Sequence, residues 1–279
     1  MFSLRRCAAL LRLELADAVR SRWLSFVLLA YVLVFGAFGW LGLRESSVLG
    51  FTGLSRVVLN AANAIVVLLP LVTLVATCQA VVRARSSGLF ELLLSQPCRV
   101  SEWFAAVVSA RVLVLSGPLL AVLSVLSVSS LLASEPESIA ILARAGLVSV
   151  ALIASFTGLG LCVSSYARSS ERAVVLALLV WMWVGLLHDF ALIAVLLGLH
   201  VEPHAVFGLA ALNPVQAARL ALLSGIDPEL SVLGPVGFWL ANRLGSLLTL
   251  IIGVVWPLVI AGLSLVFALR RLQRADACP

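Results

Sequence analysis

The chain of 279 residues contains no lysine; all 19 of its basic residues are arginine. Two kinds of chemistry are lost with it. A phosphate-binding P-loop needs a lysine after its glycines to reach the terminal phosphates, so ATP hydrolysis of that type is excluded. Schiff-base catalysis through an amine side chain is excluded as well. Charge of either sign is scarce, at 11% of residues against about 25% in an ordinary soluble domain. Methionine occurs only as Met1 and Met182, too few for a thioether relay for metal ions. The five cysteines, Cys7, Cys78, Cys98, Cys162 and Cys278, include no C-x-x-C pair. In the topology derived below they lie in inner segments or inner halves of spans, which suits a reducing compartment and argues against structural disulfides.

What the chain has instead is apolar surface: 62% of residues are hydrophobic and the mean hydropathy is +1.16. A water-soluble core cannot absorb that much, because a single core stops growing with chain length. The expected fold is therefore an all-α membrane protein. Six apolar stretches lie near 23–43, 57–82, 103–133, 145–167, 173–199 and 244–269. Each reaches the roughly 20 residues that cross a bilayer, and the longer ones imply tilt or extension beyond it. Pro70, Pro118 and Pro257 fall inside spans, where kinks rather than breaks are expected.

Residues 1–22 lack the short apolar core and cleavage site of a signal peptide. Leu4, Cys7, Ala8, Leu11, Leu15, Ala18 and Val19 share one helical stripe that leaves out Arg5, Arg6, Arg12 and Arg20. The pattern fits an interfacial amphipathic helix; a solvated tail is the alternative. The arginines orient the bundle. With the N-terminus in the cytoplasm, only Arg44, Arg56, Arg144, Arg219 and Arg243 of the 19 fall in outer segments. The remainder lie inside, as the positive-inside rule requires, and an even number of spans returns the 270–279 tail to the same side.

Two connections are long. The inner loop, 83–102, holds a short apolar run between Gly88 and Pro97. The outer segment, 200–243, contains Asn213-Pro214, a helix start with asparagine as N-cap and proline in the first turn. That helix should stop near Gly225. With the apolar patch from Val232 to Leu240, it is expected to form an outer cap dipping into the membrane face. No repeat of 20–50 residues is visible, which gives inverted-repeat transporters little support.

The inner run Gly88-Leu89-Phe90-Glu91-Leu92-Leu93-Leu94-Ser95-Gln96-Pro97-Cys98-Arg99 resembles the coupling-helix segment of ABC-2-type permeases. In that family a glycine, a glutamate, a leucine pair and a proline recur between spans two and three. Arg20-Ser21-Arg22-Trp23, the stretch from Trp181-Met182-Trp183 to His188-Asp189-Phe190, and Leu212-Asn213-Pro214 with Arg219 are similar to NosY-type members. Gln216 stands where an acidic residue is expected in that group, which puts in doubt any salt bridge made there. The resemblance implies a six-span permease with a coupling helix and short outer helices, residing in the cytoplasmic (inner) membrane as a homodimer. It also implies a separate ABC ATPase subunit that carries the ATP and Mg. No cofactor is then bound by this chain, and no nucleic acid is involved. NosY-type members work, with an outer copper-binding partner, in maturing the copper enzyme nitrous oxide reductase.

The candidate residues follow. In the inner loop they are Gly88, Phe90, Glu91, Leu93, Leu94, Pro97 and Arg99, as an ATPase-docking surface. Each large apolar side chain buried in a partner groove contributes roughly 1.5–3 kcal/mol. The alternative is that this helix lies on the membrane face. Asp189 is the only acid deep in a span and should face the bundle interior, supported by His188 or another polar neighbour. It either lines a substrate path or fixes packing. Asn60, Asn63, Thr73 and Thr77 on span two either glue helices together or wet a cavity. Asn213, Pro214 and Arg219 mark the outer segment. His200 and His204 are weak metal candidates, because Pro203 disturbs their helix and no third ligand is evident. An intramembrane protease needs a paired serine and histidine. There is no Gly-x-Ser-x-Gly, and His188 has no evident serine partner. A scaffold subunit that moves no solute is the remaining alternative.

Overall fold

The computed structural model describes residues 4–20, 29, 31–33, 66–89, 92, 95, 99–132, 136–198, 203–227, 229–230 and 234–276. Among them all regular structure is helical. Helix α1 is Leu4–Arg20. The helical stretch Val66–Ser86 is α2, followed by α3 (Val100–Leu132) and α4 (Pro136–Tyr166). Helix α5 (Ser170–Met182) continues through a π turn (Trp183–Leu187) into α6 (His188–Gly198). Then come α7 (Pro203–Leu212), α8 (Pro214–Ile226), α9 (Gly234–Arg243) and α10 (Gly245–Asp276). Among the described residues five stretches are long and apolar enough to cross a membrane: α2, α3, α4, the α5–α6 unit and α10. The expected first span, 23–43, falls outside the described residues except for 29 and 31–33. Of these, Tyr31 is buried in a cluster with Leu69 of α2 and Leu115, Leu119 and Leu123 of α3.

Local chemistry sets the helix ends. At the start of α3 the Arg99 amide donates to the Glu102 carboxylate at 3.3 Å, the back-reaching half of a capping box. Ser169 caps α5 by accepting from the Arg172 amide at 3.4 Å. Gly245 stands between α9 and α10 at φ +68°, a conformation that a β-carbon would disfavour. Pro118 and Pro257 sit inside α3 and α10 without ending either helix.

Span two runs through Pro70 without a break and is interrupted at Cys78-Gln79, which carries no such sequence mark. Beyond the break a stub, Ala80–Ser86, continues toward the inner loop. The Val81 and Val82 amides donate to Ser164 Oγ of α4, at 3.0 and 3.2 Å. The Arg85 guanidinium reaches the Ser165 carbonyl at 3.3 Å.

Helix α4 is the hub, packed against α3, α8, α10 and the stub of α2. Small residues let these backbones approach, the usual device where lipid removes the hydrophobic drive between helices. A β-carbon on Gly158 would lie 2.9 Å from the Ala261 carbonyl oxygen, and one on Gly253 would lie 2.7 Å from that of Ala217. One end of the bundle gathers Val81, Trp103, Leu161 and Leu272 with Leu10 of α1. The other gathers Leu223, Leu230 and Leu240 with Phe207 and Trp239.

Helix α1 packs against the start of α3, and its stripe differs from the sequence expectation. Ala8 and Val19 are exposed, while Ala18 is buried and Leu10 joins the core. The inward face also carries Glu14, which is half-buried. Burial raises the Glu14 carboxyl above its ordinary value, opposed by the Arg111 charge and a hydrogen bond with Trp103, with Asp17 adding to the rise.

Candidate functional site

Residues 203–226, in the segment expected on the outer side, fold into a helical hairpin, α7 and α8, that enters the bundle. Its depth follows from two hydrogen bonds at the tip. Trp256 Nε1 donates to the Leu212 carbonyl at 2.9 Å. Trp256 is about 16 Å along α10 from Gly245, at 1.5 Å per residue. Asn213 Nδ2 donates to the Val184 carbonyl, inside the π turn, at 2.6 Å. The tip therefore reaches about halfway through a hydrocarbon core roughly 30 Å thick. The sequence forces this turn. Asn213 Oδ1 accepts from the Val215 amide at 2.9 Å, and Pro214 opens α8 where no amide donor is needed. Asn213 thus caps its own helix and bonds to span five with the two ends of one side chain.

Above the tip sits a polar cluster. Asp189 and Arg219 form an ion pair, Oδ2 to Nη1, at 3.0 Å. The Gln216 amide donates to Asp189 Oδ1, and its carbonyl oxygen accepts from Arg219 Nη1 at 3.2 Å. The side chains of Arg219 and Asp189 are 22% and 28% exposed. The neutral Gln216 leaves one acid facing one base. A carboxylate in its place would give the cluster a net negative charge in a medium that penalises charge. The partners of Asp189 are thus Gln216 and Arg219. His188 Nε2 is buried without a hydrogen-bond partner among the described residues.

The π turn helps set this geometry. One extra residue in a turn advances the helix face by about 100°, so α6 presents a different face from the one α5 would have continued. Few of this span's residues are buried: Trp183 is 68% and Phe190 67% exposed.

A second arginine holds the hairpin's far end, and sequence reasoning had used it only to orient the bundle. Arg144 of α4 donates to the Ala221 carbonyl at 2.7 Å, Ser224 Oγ at 2.8 Å, Ser246 Oγ at 2.8 Å and the Ser246 carbonyl at 2.7 Å. It ties α8, α10 and α4 together, with its charge at the C-terminal end of α8, where a helix dipole favours a cation. The small polar partners Ser224 and Ser246 carry no sequence signal that singles them out.

The other sequence candidates are spread out. Thr73 and Thr77 are buried, and the Thr77 hydroxyl donates to the Thr73 carbonyl at 2.7 Å. Gly160 of α4 lies so close to Thr77 that a β-carbon there would collide with it. Thr77 thus packs against α4. In the inner loop, Gly88 has φ +70°, the Leu92 amide donates to the Gly88 carbonyl at 3.1 Å and Leu92 is 59% exposed. Arg99 opens α3 through the cap described above. Phe90, Glu91, Leu93, Leu94 and Pro97 lie outside the described residues, as do Asn60, Asn63, His200 and the side chain of His204. Among the described residues no group of three or more metal-ligating side chains occurs. A groove of about 540 Å³ runs between α3 and α4, lined by Leu120, Leu123, Leu142 and Leu147. Its Ser124 and Ser127 hydroxyls donate to carbonyls of their own helix, leaving it apolar.

Several apolar spans, a re-entrant hairpin and charges paired inside the bundle define a multi-pass helical membrane protein. Comparison with known proteins gives the family: residues 8–277 match the model of the ABC-2 family transporter protein, and the chain belongs to that family. It is 30% identical over 234 residues to the probable ABC transporter permease protein NosY of Pseudomonas aeruginosa, covering 77% of this chain and 81% of that one. It is 27% identical over 271 residues to the probable ABC transporter permease protein NosY of Stutzerimonas stutzeri, covering 94% and 96%. The chain is a membrane permease subunit of an ABC transporter, of the NosY-like kind.

Proposed function

We propose that this permease is driven by a separate ATPase subunit that docks on the inner loop, 83–102. One observation carries the reading: a transporter membrane family matches residues 8–277 of a chain with no lysine for a P-loop. The loop's placement supports it. Leu92 projects from the loop with 59% of its surface exposed, and such a side chain gains by burial in a partner groove. Two copies of the permease pair in the cytoplasmic membrane, with both termini on the cytoplasmic side and an outer partner protein opposite. Nucleotide-driven closure of the ATPase pair pushes the inner loops together and rearranges the spans. By the NosY likeness, the cargo or the pulled partner belongs to the maturation of a copper enzyme, nitrous oxide reductase. ATP and Mg stay on the ATPase, and this chain contributes no catalytic residue.

Co-purification tests the docking. The tagged permease should retain the ATPase, and Glu91→Ala with Leu93→Ala should release it while the permease remains folded. Undiminished binding and transport by the double variant would reject docking at this loop.

A second reading is favoured by the outer cluster. The intramembrane charges are spent on each other, Asp189 on Arg219, rather than on lining a water-filled path. In this reading the subunit transmits motion to the outer partner and moves no solute. Solute uptake by vesicles that contain the assembled complex would exclude it.

A further inference from the structure

We propose that Ser164 fastens the stub of span two to span four, so that the inner loop and α4 move as one unit separate from the rest of span two. The inference rests, for its functional meaning, on the reading that the ATPase docks on the 83–102 loop.

At Cys78-Gln79 the helix of span two is interrupted. An interruption frees the amides of the next turn, and a buried amide without an acceptor is costly. Val81 is fully buried and Val82 is 5% exposed, so water does not serve them. Both donate to one atom, Ser164 Oγ, at 3.0 and 3.2 Å. Ser164 is itself fully buried. One turn further on, the Arg85 guanidinium donates to the Ser165 carbonyl at 3.3 Å. The acceptors that replace the lost intrahelical bonds thus come from the end of α4. On the other side of the break, Thr77 turns its hydroxyl back to the Thr73 carbonyl of its own helix.

The stub leads through Ser87 into Gly88, whose φ of +70° begins the loop. A push on the loop therefore reaches α4 through two amides, one hydroxyl and one guanidinium. From α4 it passes to α10 and α8 across the glycine contacts described above. The Cys78-Gln79 break is the joint about which the stub turns relative to Val66–Thr77. Ser164 is a positioning residue: it touches no cargo and acts by keeping loop and span in step.

Hydrogen exchange of the purified permease in lipid nanodiscs tests this directly. Ser164→Ala should raise exchange in Ala80–Ser86 by about tenfold or more, since two amides lose their shared acceptor, while Val66–Thr77 keeps its protection. Ser164→Thr, which retains a hydroxyl acceptor, should restore the slow rate. Ser149→Ala, another buried serine on α4, should leave the stub unchanged. Should the alanine variant be unrecoverable, Ser164→Cys keeps the volume with a weaker acceptor and should speed exchange in the same segment. Exchange in Ala80–Ser86 indifferent to Ser164→Ala would overturn the inference. So would opening of the whole of Val66–Ser86 together.

The same labelling with the ATPase and a non-hydrolysable ATP analogue adds the functional readout. Wild-type permease should show nucleotide-dependent changes in α4 that Ser164→Ala loses with the ATPase still bound. Full transmission by Ser164→Ala would contradict the proposal. If wild-type permease does not retain the ATPase, the docking reading fails, and the exchange of the stub alone still decides whether Ser164 is the fastener.

Discussion

The two ends of the bundle solve the same problem with different chemistry. At the end expected to face outward a hairpin is inserted among α4, the α5–α6 unit and α10, and charged side chains hold it: Arg144 with four hydrogen bonds, Arg219 with an acid and an amide. At the inner end a broken helix is held by a neutral hydroxyl that accepts from two backbone amides, with a single longer bond from the Arg85 guanidinium beside it. Multiple charge-assisted bonds fix a geometry in several directions. A single hydroxyl bridging two amides is weaker and leaves a joint beside it. The outer seam is thus built to stay together and the inner seam to pass on a displacement. Damage to the first should show as lost stability, and damage to the second as lost transmission with stability retained.

The largest effect is expected at Arg144. Arg144→Leu removes every bond between α4 and the end of α8 and orphans buried carbonyl and hydroxyl acceptors. The cost should be about 3 kcal/mol or more, read as a lower midpoint of thermal unfolding in detergent and reduced folded yield. A midpoint unchanged from wild type would show that the hairpin does not depend on this clamp.

Close packing comes next. Gly253→Ala would drive a methyl into the Ala221 side chain and place it 2.7 Å from the Ala217 carbonyl oxygen. Overpacking of this kind costs about 1–3 kcal/mol. Gly262→Ala on the same helix meets nothing within 4 Å and should be neutral in the same assay. Equal effects of the two would remove the α8–α10 approach from the account.

A smaller effect is expected at the ion pair, because both side chains are partly exposed. Asp189→Asn should cost about 1–2 kcal/mol, and the double variant with Arg219→Gln should recover part of that loss. Unfolding midpoints of the four proteins give the coupling. Recovery of stability without recovery of transport would assign the pair a role in the working cycle. Recovery of both would make it a packing device.

The smallest effect lies at α1. The Glu14 carboxyl is raised by burial, so it favours the folded state when protonated. That contribution is fully present below the ordinary carboxylate value and is lost as pH rises through the higher folded value. Glu14→Gln should therefore flatten the decline in stability over that window. A pH profile identical to wild type would show that Glu14 does not titrate with folding.

Much of this architecture was legible from residue patterns. Apolar runs located the described spans to within a few residues at most ends, since lipid demands long uninterrupted helices. Asn213-Pro214 announced the start of α8 because capping chemistry is local. What was not legible depends on register between distant segments. Asp189 and Arg219 each stood out as a charge, but their pairing needs the π turn, which shifts the helix face and has no mark in the composition of Trp183–Leu187. Pro70 was expected to kink span two without breaking it, and the helix runs through it; the break lies at Cys78-Gln79, where no proline or glycine marks it. There it is tolerated because Ser164, far away in the chain, supplies the missing acceptor. Arg144 gave no sign of its role because its partners are two ordinary serines and backbone carbonyls. The stripe of α1 was misjudged at Ala8 and Val19, which are exposed, and at Leu10, which packs inward, because the helix is rotated to meet α3.

The central claim is that the engine is a separate protein acting through the inner loop. ATP turnover in liposomes, with the purified permease, the ATPase, or both, tests it most directly. The account predicts no turnover by the permease alone and a change in ATPase turnover when the permease is present, abolished by Leu92→Asp. Turnover by the permease alone, or stimulation that Leu92→Asp leaves intact, would contradict it.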